Sequence, residues 1–435
     1  MQDDAPGGTA STPVDGADAT ARDEPRIAVW HRDDLRVADN LALTRARRDG
    51  RPCPVFVFDP AFYDSDMACD ARIRFVHESV ASLRERYRTL GSDLALRHGD
   101  ARSVLADLPV DRLYFNASVT SRYGERRDRA VLSWETATAF GDDAIVRSDD
   151  PREGWSRQAE AYFGRDQHPT PRSLPPTPLD STTTPEGVAD RHDVTDDKRP
   201  RPTGGIGPAW DRLRTFTRDI RDYPGGISNP AEAERRTSRL SPYLTIGTLT
   251  PRQATQHVRA HAPNCTGTDM FVERLFWNRH YTQKLADWPG ATETAINPVF
   301  RGLWRGRHDP EFVDAWKRGE TGFPLIDADP AINYEQWQLQ SALTGDHPVR
   351  IYDPYKAVRE NDPDGRYIRS YVPELAALPD EHLDRPERTP EAVQQECGVE
   401  IGVDYPEPVV DFATRRDETR RVYDRLHDRA LSEFE

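Results

Sequence analysis

The chain has 435 residues, of which 59 are basic and 74 acidic, so its formal net charge is −15. At about 100 to 200 residues per domain, this length predicts two or three domains. The mean hydropathy is −0.80, and no run approaches the roughly 18 apolar residues of a membrane span, which excludes an integral membrane protein. The N-terminal residues lack the basic start and apolar run of a signal peptide, so we predict a cytoplasmic protein.

The numbers and positions of cysteine and arginine residues limit the class of protein further. Cys53, Cys69, Cys265 and Cys397 lie far apart without a CxxC pair, which predicts neither a disulfide framework nor a local metal site. The 55 arginines against four lysines, with abundant aspartate, are typical of a halophilic source. Between residues 201 and 260, ten arginines accompany five acidic residues, which indicates either a phosphate-binding face or a solvated helix surface.

The first domain is predicted to be an α/β domain at residues 25–163. Residues 1–24 hold almost no large apolar side chain, which predicts a disordered acidic tail. Short apolar runs at 27–30, 55–58, 94–96 and 113–115 predict buried strands, and helical segments separate them. One such helix, ending at Gly91, has apolar residues at spacings of three or four: Ile73, Val76, Val80, Leu83, Tyr87 and Leu90. The alternation predicts a doubly wound parallel sheet that binds small molecules, if at all, at its carboxyl edge.

The rest of the chain reads as helical. Residues 164–208 are rich in proline, threonine and aspartate, which predicts a linker without a core of its own. Tryptophan, leucine and arginine then recur at helical spacing, which predicts an all-α domain at 209–390 that begins near Trp210. A C-terminal extension at 391–435 is predicted to carry an amphipathic helix from about Phe412 to Phe434.

Six blocks of sequence resemble the photolyase and cryptochrome family. They occur in the family's order over about residues 25–410, at 27–43, 55–60, 237–244, 321–327, 350–354 and 362–375. The third block, for example, reads Thr-Ser-Arg-Leu-Ser-Pro-Tyr-Leu. The resemblance implies an α/β antenna domain followed by an all-α FAD-binding domain. Residues 271–285 and 332–340 are most similar to the bacterial cryptochrome branch with an iron–sulfur cluster. Because the cluster's cysteines are absent here, we expect no metal.

The resemblance also implies which residues bind FAD. One segment matches the family's diphosphate-binding residues: Thr237, Ser238, Arg239, Leu240 and Ser241. Hydroxyls and backbone N–H groups at a helix start suit an anion, although an ordinary N-cap is the alternative. Asp327 and Asp329 match the acidic pair at the flavin edge and adenosine sugar, and Asn333 matches the residue near flavin N5. Helix capping is the alternative role for these residues.

Further matches concern electron transfer and DNA. Trp337 matches the flavin-proximal tryptophan and Trp304 the surface end of the electron-transfer chain, although packing alone could explain both. The positions that match the family's DNA contacts are Arg274, Trp277, Asn278, Arg279, His280 and Gln338. Arg274 and Asn278 replace a glutamate and an arginine that many photolyases use to grip the lesion.

One departure affects the flavin site. Two family blocks that are normally separated by several helices coincide here at residues 327–333, so a whole segment is absent. That segment normally supplies flavin and DNA contacts together with the middle tryptophan. We therefore expect an internally shortened domain and a reshaped pocket, which puts tight FAD binding in question.

Three functional hypotheses follow. The first is a light-dependent enzyme, similar to deoxyribodipyrimidine photo-lyase, that acts as a monomer on UV pyrimidine lesions in duplex DNA by electron transfer from reduced FAD. The second is a cryptochrome-like light or redox sensor that signals through the acidic segment after Pro379. The third is a degenerate member that no longer binds FAD. The lesion type and the identity of a possible second antenna chromophore stay open at this point.

Overall fold

The computed structural model describes residues 24–64, 68–119, 122–147, 154–196, 201–226, 230–303, 351–408 and 410–432, together with residues 310, 343 and 349. Six of the predicted site residues lie outside the described residues: Trp304, Asp327, Asp329, Asn333, Trp337 and Gln338. The tail at residues 1–23 lies outside them too.

The sheet has five parallel strands in the order β3-β2-β1-β4-β5. The strands are β1 (Arg26–His31), β2 (Arg51–Phe58), β3 (Ala95–His98), β4 (Arg112–Asn116) and β5 (Ala137–Phe140). The four predicted strands are therefore confirmed, and β5 is additional. Strand β1 is covered on both faces, since Ile27, Ala28 and Val29 have no exposed surface. A sheet buried in this way reads as continuous apolar runs.

Helices flank the sheet. They are α1 (Leu41–Asp49), α2 (Pro60–Tyr63), α3 (Asp70–Thr89), α4 (Ala101–Ala106), α5 (Arg122–Leu132) and α6 (Trp155–Gly164). Helix α3 is the one predicted from apolar spacing, and its predicted face is buried at Ile73, Val80, Leu83 and Tyr87. This face packs against the sheet, so the spacing identified the correct side of the helix.

The predicted linker packs along α3. It is irregular, as its prolines predict, except for α7 (Pro185–Arg191), which we did not predict. Glu78 of α3 accepts hydrogen bonds from the Arg201 side chain and from the Gly204 backbone N–H. A Cβ atom on Gly204 would lie 2.1 Å from the Phe75 carbonyl oxygen, so only glycine allows this approach.

The remaining described elements are helical, as predicted. They are α8 (Ile206–Asp219), α9 (Tyr223–Gly226), α10 (Pro230–Arg236), α11 (Ser241–Thr245), α12 (Pro251–His261), α13 (Thr266–Asp287), α14 (Pro354–Asn361), α15 (Arg366–Tyr371), α16 (Glu391–Cys397) and α17 (Phe412–Ser432). Short 3₁₀ turns occur between them at Ile220–Asp222, Pro289–Thr292, Pro298–Phe300, Pro373–Leu375, Asp380–His382 and Pro386–Arg388. Among the described helices, none is both long and apolar enough to cross a membrane.

One apolar core joins the sheet to the first helices of the second half. It contains Ile27 and Leu83 from the sheet side together with Leu213, Leu249 and Leu275 from α8 to α13. Among the described residues after 290, buried apolar side chains form two separate clusters. One surrounds Ala295, Phe300 and Tyr423, and the other surrounds Leu375, Leu378, Leu383 and Val399.

Candidate cofactor and nucleic-acid sites

A cleft of about 320 Å³ opens at the carboxyl edge of the sheet. Strands β2 and β3 extend the sheet on one side of β1, and β4 and β5 extend it on the other, so the order reverses between β1 and β4. Parallel sheets bind ligands at such a point. The loop after β1 supplies Arg32, Asp33 and Asp34, and the end of β4 supplies Asn116. Gly247 closes the cleft from the helical half.

Aromatic rings and a fixed guanidinium form one wall of the cleft. The Arg32 guanidinium carbon lies 4.9 Å from the centroid of the Trp30 ring and 4.7 Å from that of Phe115. Arg32 also donates to the Asp128 carboxylate and to the Asn116 carbonyl oxygen. Five further aromatic residues line the cleft: Phe56, Phe58, Phe62, Tyr63 and Tyr162. A planar aromatic ligand with polar edges suits this combination.

Two adjacent carboxylates in the cleft have opposite electrostatic environments. Burial raises the pKa of Asp33, and Arg32 only partly offsets it. Burial acts on Asp34 too, but His31 and Arg36 outweigh it and hold the pKa of Asp34 below its ordinary value. Asp34 accepts hydrogen bonds from Asn40 and from Asn116, at 3.1 and 2.6 Å. Asp34 therefore fixes the loops, which leaves Asp33 as the carboxylate suited to a ligand N–H or hydroxyl group.

The predicted phosphate segment is a turn between α10 and α11. Arg212 donates from Nε to the Ser238 carbonyl oxygen at 2.8 Å and from Nη2 to the Thr237 carbonyl oxygen at 2.6 Å. The Thr237 hydroxyl donates to the Ala233 carbonyl oxygen of α10 at 2.6 Å. Leu240 is buried and occupies the N-cap position of α11 without a side-chain hydrogen bond. The N-cap of α11 is therefore a residue without a hydroxyl group, which gives no support to the alternative that this segment is an ordinary side-chain N-cap.

The charge of this turn suits a bound anion. Burial lowers the pKa of Arg212, and the positive charge of Arg239 lowers it further. Arg239 itself has a φ angle of +50°, a left-handed conformation that costs a non-glycine residue ~1 kcal/mol. A diphosphate bound at the turn would relieve the repulsion between the two guanidinium groups. The residues present therefore fit the diphosphate of FAD.

The predicted DNA contacts divide between two faces of α13. Arg274 and Trp277 are exposed, the latter by 44% of its surface, and His280 lies half-buried against the Trp277 ring at 5.4 Å. Asn278 is buried, and Arg279 donates to its side-chain oxygen while lining the cleft. Successive helical residues are 100° apart, so Asn278 and Arg279 point away from the face of Trp277. In this structure neither side chain reaches that face.

Sequence analysis missed part of the outer face of α13. Tyr281, Lys284 and Trp288 continue the row of Arg274 and Trp277 at spacings of four, three and four. Trp288 is 36% exposed, and the Lys284 ammonium lies 5.8 Å from the Tyr281 ring centroid. Trp288 is the first residue after α13, so the helical part of the row, from Arg274 to Lys284, extends over about 15 Å at 1.5 Å per residue. The spacing of three or four between these aromatic and basic residues could have identified the row from the sequence. We name these five residues the α13 row.

Models of known families match most of the folded chain. The family described as DNA photolyase matches residues 27–141. The family described as the FAD binding domain of DNA photolyase matches residues 271–329 and 325–425. The chain belongs to the photolyase/cryptochrome family, and its FAD-binding domain supports FAD as the cofactor. The two matches to that domain share residues 325–329.

Similar proteins in this family include both cryptochromes and photolyases. A Cryptochrome DASH of Gloeobacter violaceus is 27% identical over 482 positions that cover 91% of this chain and 95% of that protein. A deoxyribodipyrimidine photo-lyase of Halobacterium salinarum is 26% identical, with 91% and 98% covered. An archaeal photolyase from Sulfolobus tokodaii, solved with two FAD molecules, shares the fold with a TM-score of 0.71 and 21% identity over 92% of this chain and all of that one. Repair and sensing are not distinguished at these identities.

Proposed function

We propose that this protein is a light-dependent flavoprotein that repairs UV pyrimidine lesions in DNA. The observation that carries the proposal is the α13 row, which places three aromatic rings and two cationic side chains along one side of the helix, three of the five residues being exposed and two half-buried. Stacking rings and cations combined in this way suit a strand whose bases are unstacked. A flipped lesion requires such a surface, because the damaged bases leave the duplex to reach the cofactor.

The residues have separate tasks in this proposal. Trp277 stacks on an extruded base, and Arg274 and Lys284 bind the phosphates beside it. Arg212 orders the turn that holds the FAD diphosphate, where Arg239 contributes a second positive charge. Reduced FAD, when bound, supplies the electron that light transfers to the lesion and that returns after the bonds rearrange. Asp327, Asp329 and Asn333 contact the flavin, and Trp337 and Trp304 carry electrons to it, as the family resemblance implies.

The cleft between β1 and β4 is proposed to hold a second, light-harvesting chromophore. Its volume is at the lower end of the range for small-molecule sites. The aromatic wall suits a planar ring, and the raised pKa of Asp33 suits a carboxyl group that accepts or shares a proton with a ring N–H. The two FAD molecules of the Sulfolobus tokodaii photolyase support a second cofactor in this fold.

A sensor without repair activity is the second candidate. Its support is the similarity to a Cryptochrome DASH and the contact made by the C-terminal helix α17. The Tyr423 ring of α17 stacks on Phe300 with 5.5 Å between centroids. A sensor would release this helix on illumination.

Two observations support an internally shortened domain. The two family matches overlap at residues 325–329, and the alignment to the Gloeobacter violaceus protein, at 482 positions, is longer than this chain. A shortened FAD-binding domain favours the degenerate alternative.

The test combines flavin content with repair. We expect near-stoichiometric FAD after acid release, and light-dependent repair of oligonucleotides that carry a cyclobutane dimer or a 6-4 product. Trp277→Ala should reduce repair at least tenfold with unchanged FAD, whereas Trp277→Phe retains a stacking ring and most of the activity. Full FAD occupancy without repair of either lesion would favour the sensor. A chain that takes up no FAD would leave only the degenerate alternative.

A further inference from the structure

We propose that Arg252 is a positioning residue that fixes the cleft of the sheet domain relative to the helical domain. It is the centre of a polar cluster, here called the domain latch, in which Asp39, Thr250 and Arg252 are buried and Asp142 and His168 are partly exposed. The latch itself stands on the geometry alone. Its optical consequence, a fixed separation between a chromophore in the cleft and the flavin, rests on the proposed function.

Arg252 binds two carboxylates from the other domain. Its Nε donates to Asp39 Oδ2 at 3.1 Å, and its Nη2 donates to Asp39 Oδ1 and, at 2.7 Å, to Asp142 Oδ2. The Arg252 side chain is 2% exposed, and that of Asp39 has no exposed surface. The Thr250 hydroxyl donates to Asp39 Oδ2 at 2.8 Å. The charges of Arg252 and Asp39 are therefore paired away from solvent.

His168 ties a third segment into the latch. Its backbone N–H donates to Asp39 Oδ1 at 3.1 Å, and the Asp39 N–H donates to the His168 carbonyl oxygen at the same distance. Its Nε2 lies 2.8 Å from Asp142 Oδ2. Ligand atoms of Asp39, Asp142 and His168 lie within 4.8 Å of one another, as at a metal site. The Arg252 guanidinium already bridges the two carboxylates, so a cation would have to displace it.

Only an arginine can make these contacts together. The planar guanidinium has five N–H donors in a fixed arrangement, and here Nε and Nη2 both donate to Asp39 while Nη2 also donates to Asp142. The opposite side of the group faces the Tyr162 ring, with 4.7 Å from the guanidinium carbon to the ring centroid. A lysine ammonium is a point charge that cannot span both carboxylates and stack in this way. Arg252→Lys is therefore a test of geometry at constant charge.

The latch residues also line the cleft. Asp39, Asp142 and Thr250 contribute to its walls, beside the segment from Leu244 to Pro251 of the helical half. The Leu35 N–H donates to the Ile246 carbonyl oxygen at 3.1 Å, so the backbones of both domains meet there. A rotation of one domain would deform the cleft and change the distance from it to the flavin. Energy transfer between two chromophores falls steeply with their separation and depends on their orientation.

The optical experiment uses the full chain loaded with FAD and with lumichrome, a planar fluorescent ring system with N–H groups, as the cleft probe. At matched occupancy of both, we expect Arg252→Met to reduce probe-to-FAD transfer at least twofold and Arg252→Lys to reduce it by an intermediate amount. Arg259→Met is the matched control, because Arg259 is exposed on the same helix, and it should leave transfer unchanged. Unchanged transfer in Arg252→Met would overturn the proposal.

A second measurement needs neither FAD nor probe, so it separates the latch from the proposed function. Spin labels on Cys69 of the sheet domain and Cys265 of the helical domain report their distance distribution, with Cys397 replaced by serine and buried Cys53 unlabelled. We expect one narrow distribution in the parent and in Arg259→Met, and a broadened one in Arg252→Lys and Arg252→Met. Parent-like distributions in folded Arg252 variants would refute the latch even if no chromophore binds.

Discussion

The two ends of the described structure are held together in different ways. The sheet and helices α8 to α13 share one large apolar core, whereas the described residues after 290 form two separate clusters, with three and four buried apolar residues among those described. These clusters flank residues 325–329, where the two family matches overlap. A small buried apolar area gives a low free energy of local unfolding. Among the described residues, the cleft and latch therefore lie in the region with the larger apolar core, and we expect the C-terminal helices to unfold locally at a lower free energy.

The same truncation in the two regions tests this comparison most strongly. Leu83 lies in the large core with no exposed surface, and Leu375 lies in a small cluster with 2% exposed. We expect Leu83→Ala to lower the free energy of unfolding by about 4 kcal/mol, and Leu375→Ala by about 2 kcal/mol, since a small cluster collapses around the cavity more easily. Urea unfolding gives the totals. Hydrogen exchange should localise the Leu375 effect to the C-terminal helices, and equal global losses would contradict the comparison.

As the pH falls, we expect the sheet domain to lose stability at a higher pH than the latch does. Burial, with Arg74 nearby, lowers the pKa of His77 from 6.5 to about 4, so the folded protein holds this imidazole neutral. Its stabilising contribution is present above pH 6.5 and disappears as the pH falls towards 4, a loss of roughly 3 kcal/mol. Despite the opposing effect of burial, His168 and Arg252 lower the pKa of Asp142 to about 2, so its contribution persists to below pH 3.8.

Urea midpoints at pH 7 and pH 4.5 measure this loss. His77→Gln removes the titrating group and retains a side chain that can bond to the Tyr63 hydroxyl, which lies 2.7 Å from His77 Nε2. The variant should show a much smaller difference between the two pH values. An equal pH dependence in parent and variant would place the effect on another group.

Local patterns predicted most of the sheet but not its full extent. The apolar runs that identify β1, β3 and β4 are buried on both faces, so the pattern is continuous. Strand β2 begins at Arg51, four residues before its predicted start, because Pro52 and Pro54 obscure it. The pairing with β3 starts only at Val55, so these prolines remove no hydrogen bond to β3.

The sites depend on contacts that no local pattern contains. Asp39 and Arg252 are 213 residues apart, and each is an ordinary charged residue in its own segment. The cleft likewise combines the ends of β1 and β4 with a turn of the helical half. By contrast, the family resemblance located the predicted phosphate segment between α10 and α11, although it did not predict the hydrogen bonds from Arg212 that order this segment.

Substitutions at two glycines with left-handed backbones can distinguish the cost of a steric clash from the cost of backbone strain. Gly247 has a φ of +65°, and a Cβ there would lie 2.2 Å from the Asp33 carbonyl oxygen. Gly302 has a φ of +80°, and no atom of the described residues lies within 4 Å of a Cβ there. We expect Gly302→Ala to cost about 1 kcal/mol of unfolding free energy from conformation alone, and Gly247→Ala at least about 2 kcal/mol. Urea unfolding measures both. Equal losses would show that the two domains do not meet as closely at Gly247 as the cleft requires.

The smallest expected effect concerns the cap that starts the latch helix. Thr250 caps α12 in a capping box with Gln253, and its hydroxyl also donates to Asp39. Thr250→Ala should lower the free energy of unfolding by about 1 to 2 kcal/mol, because both bonds are lost. Thr250→Ser keeps the hydroxyl group and should recover most of the loss in urea unfolding. If serine recovers nothing, the methyl group rather than the hydroxyl stabilises this position, and the latch is then held by Arg252 without help from the helix cap.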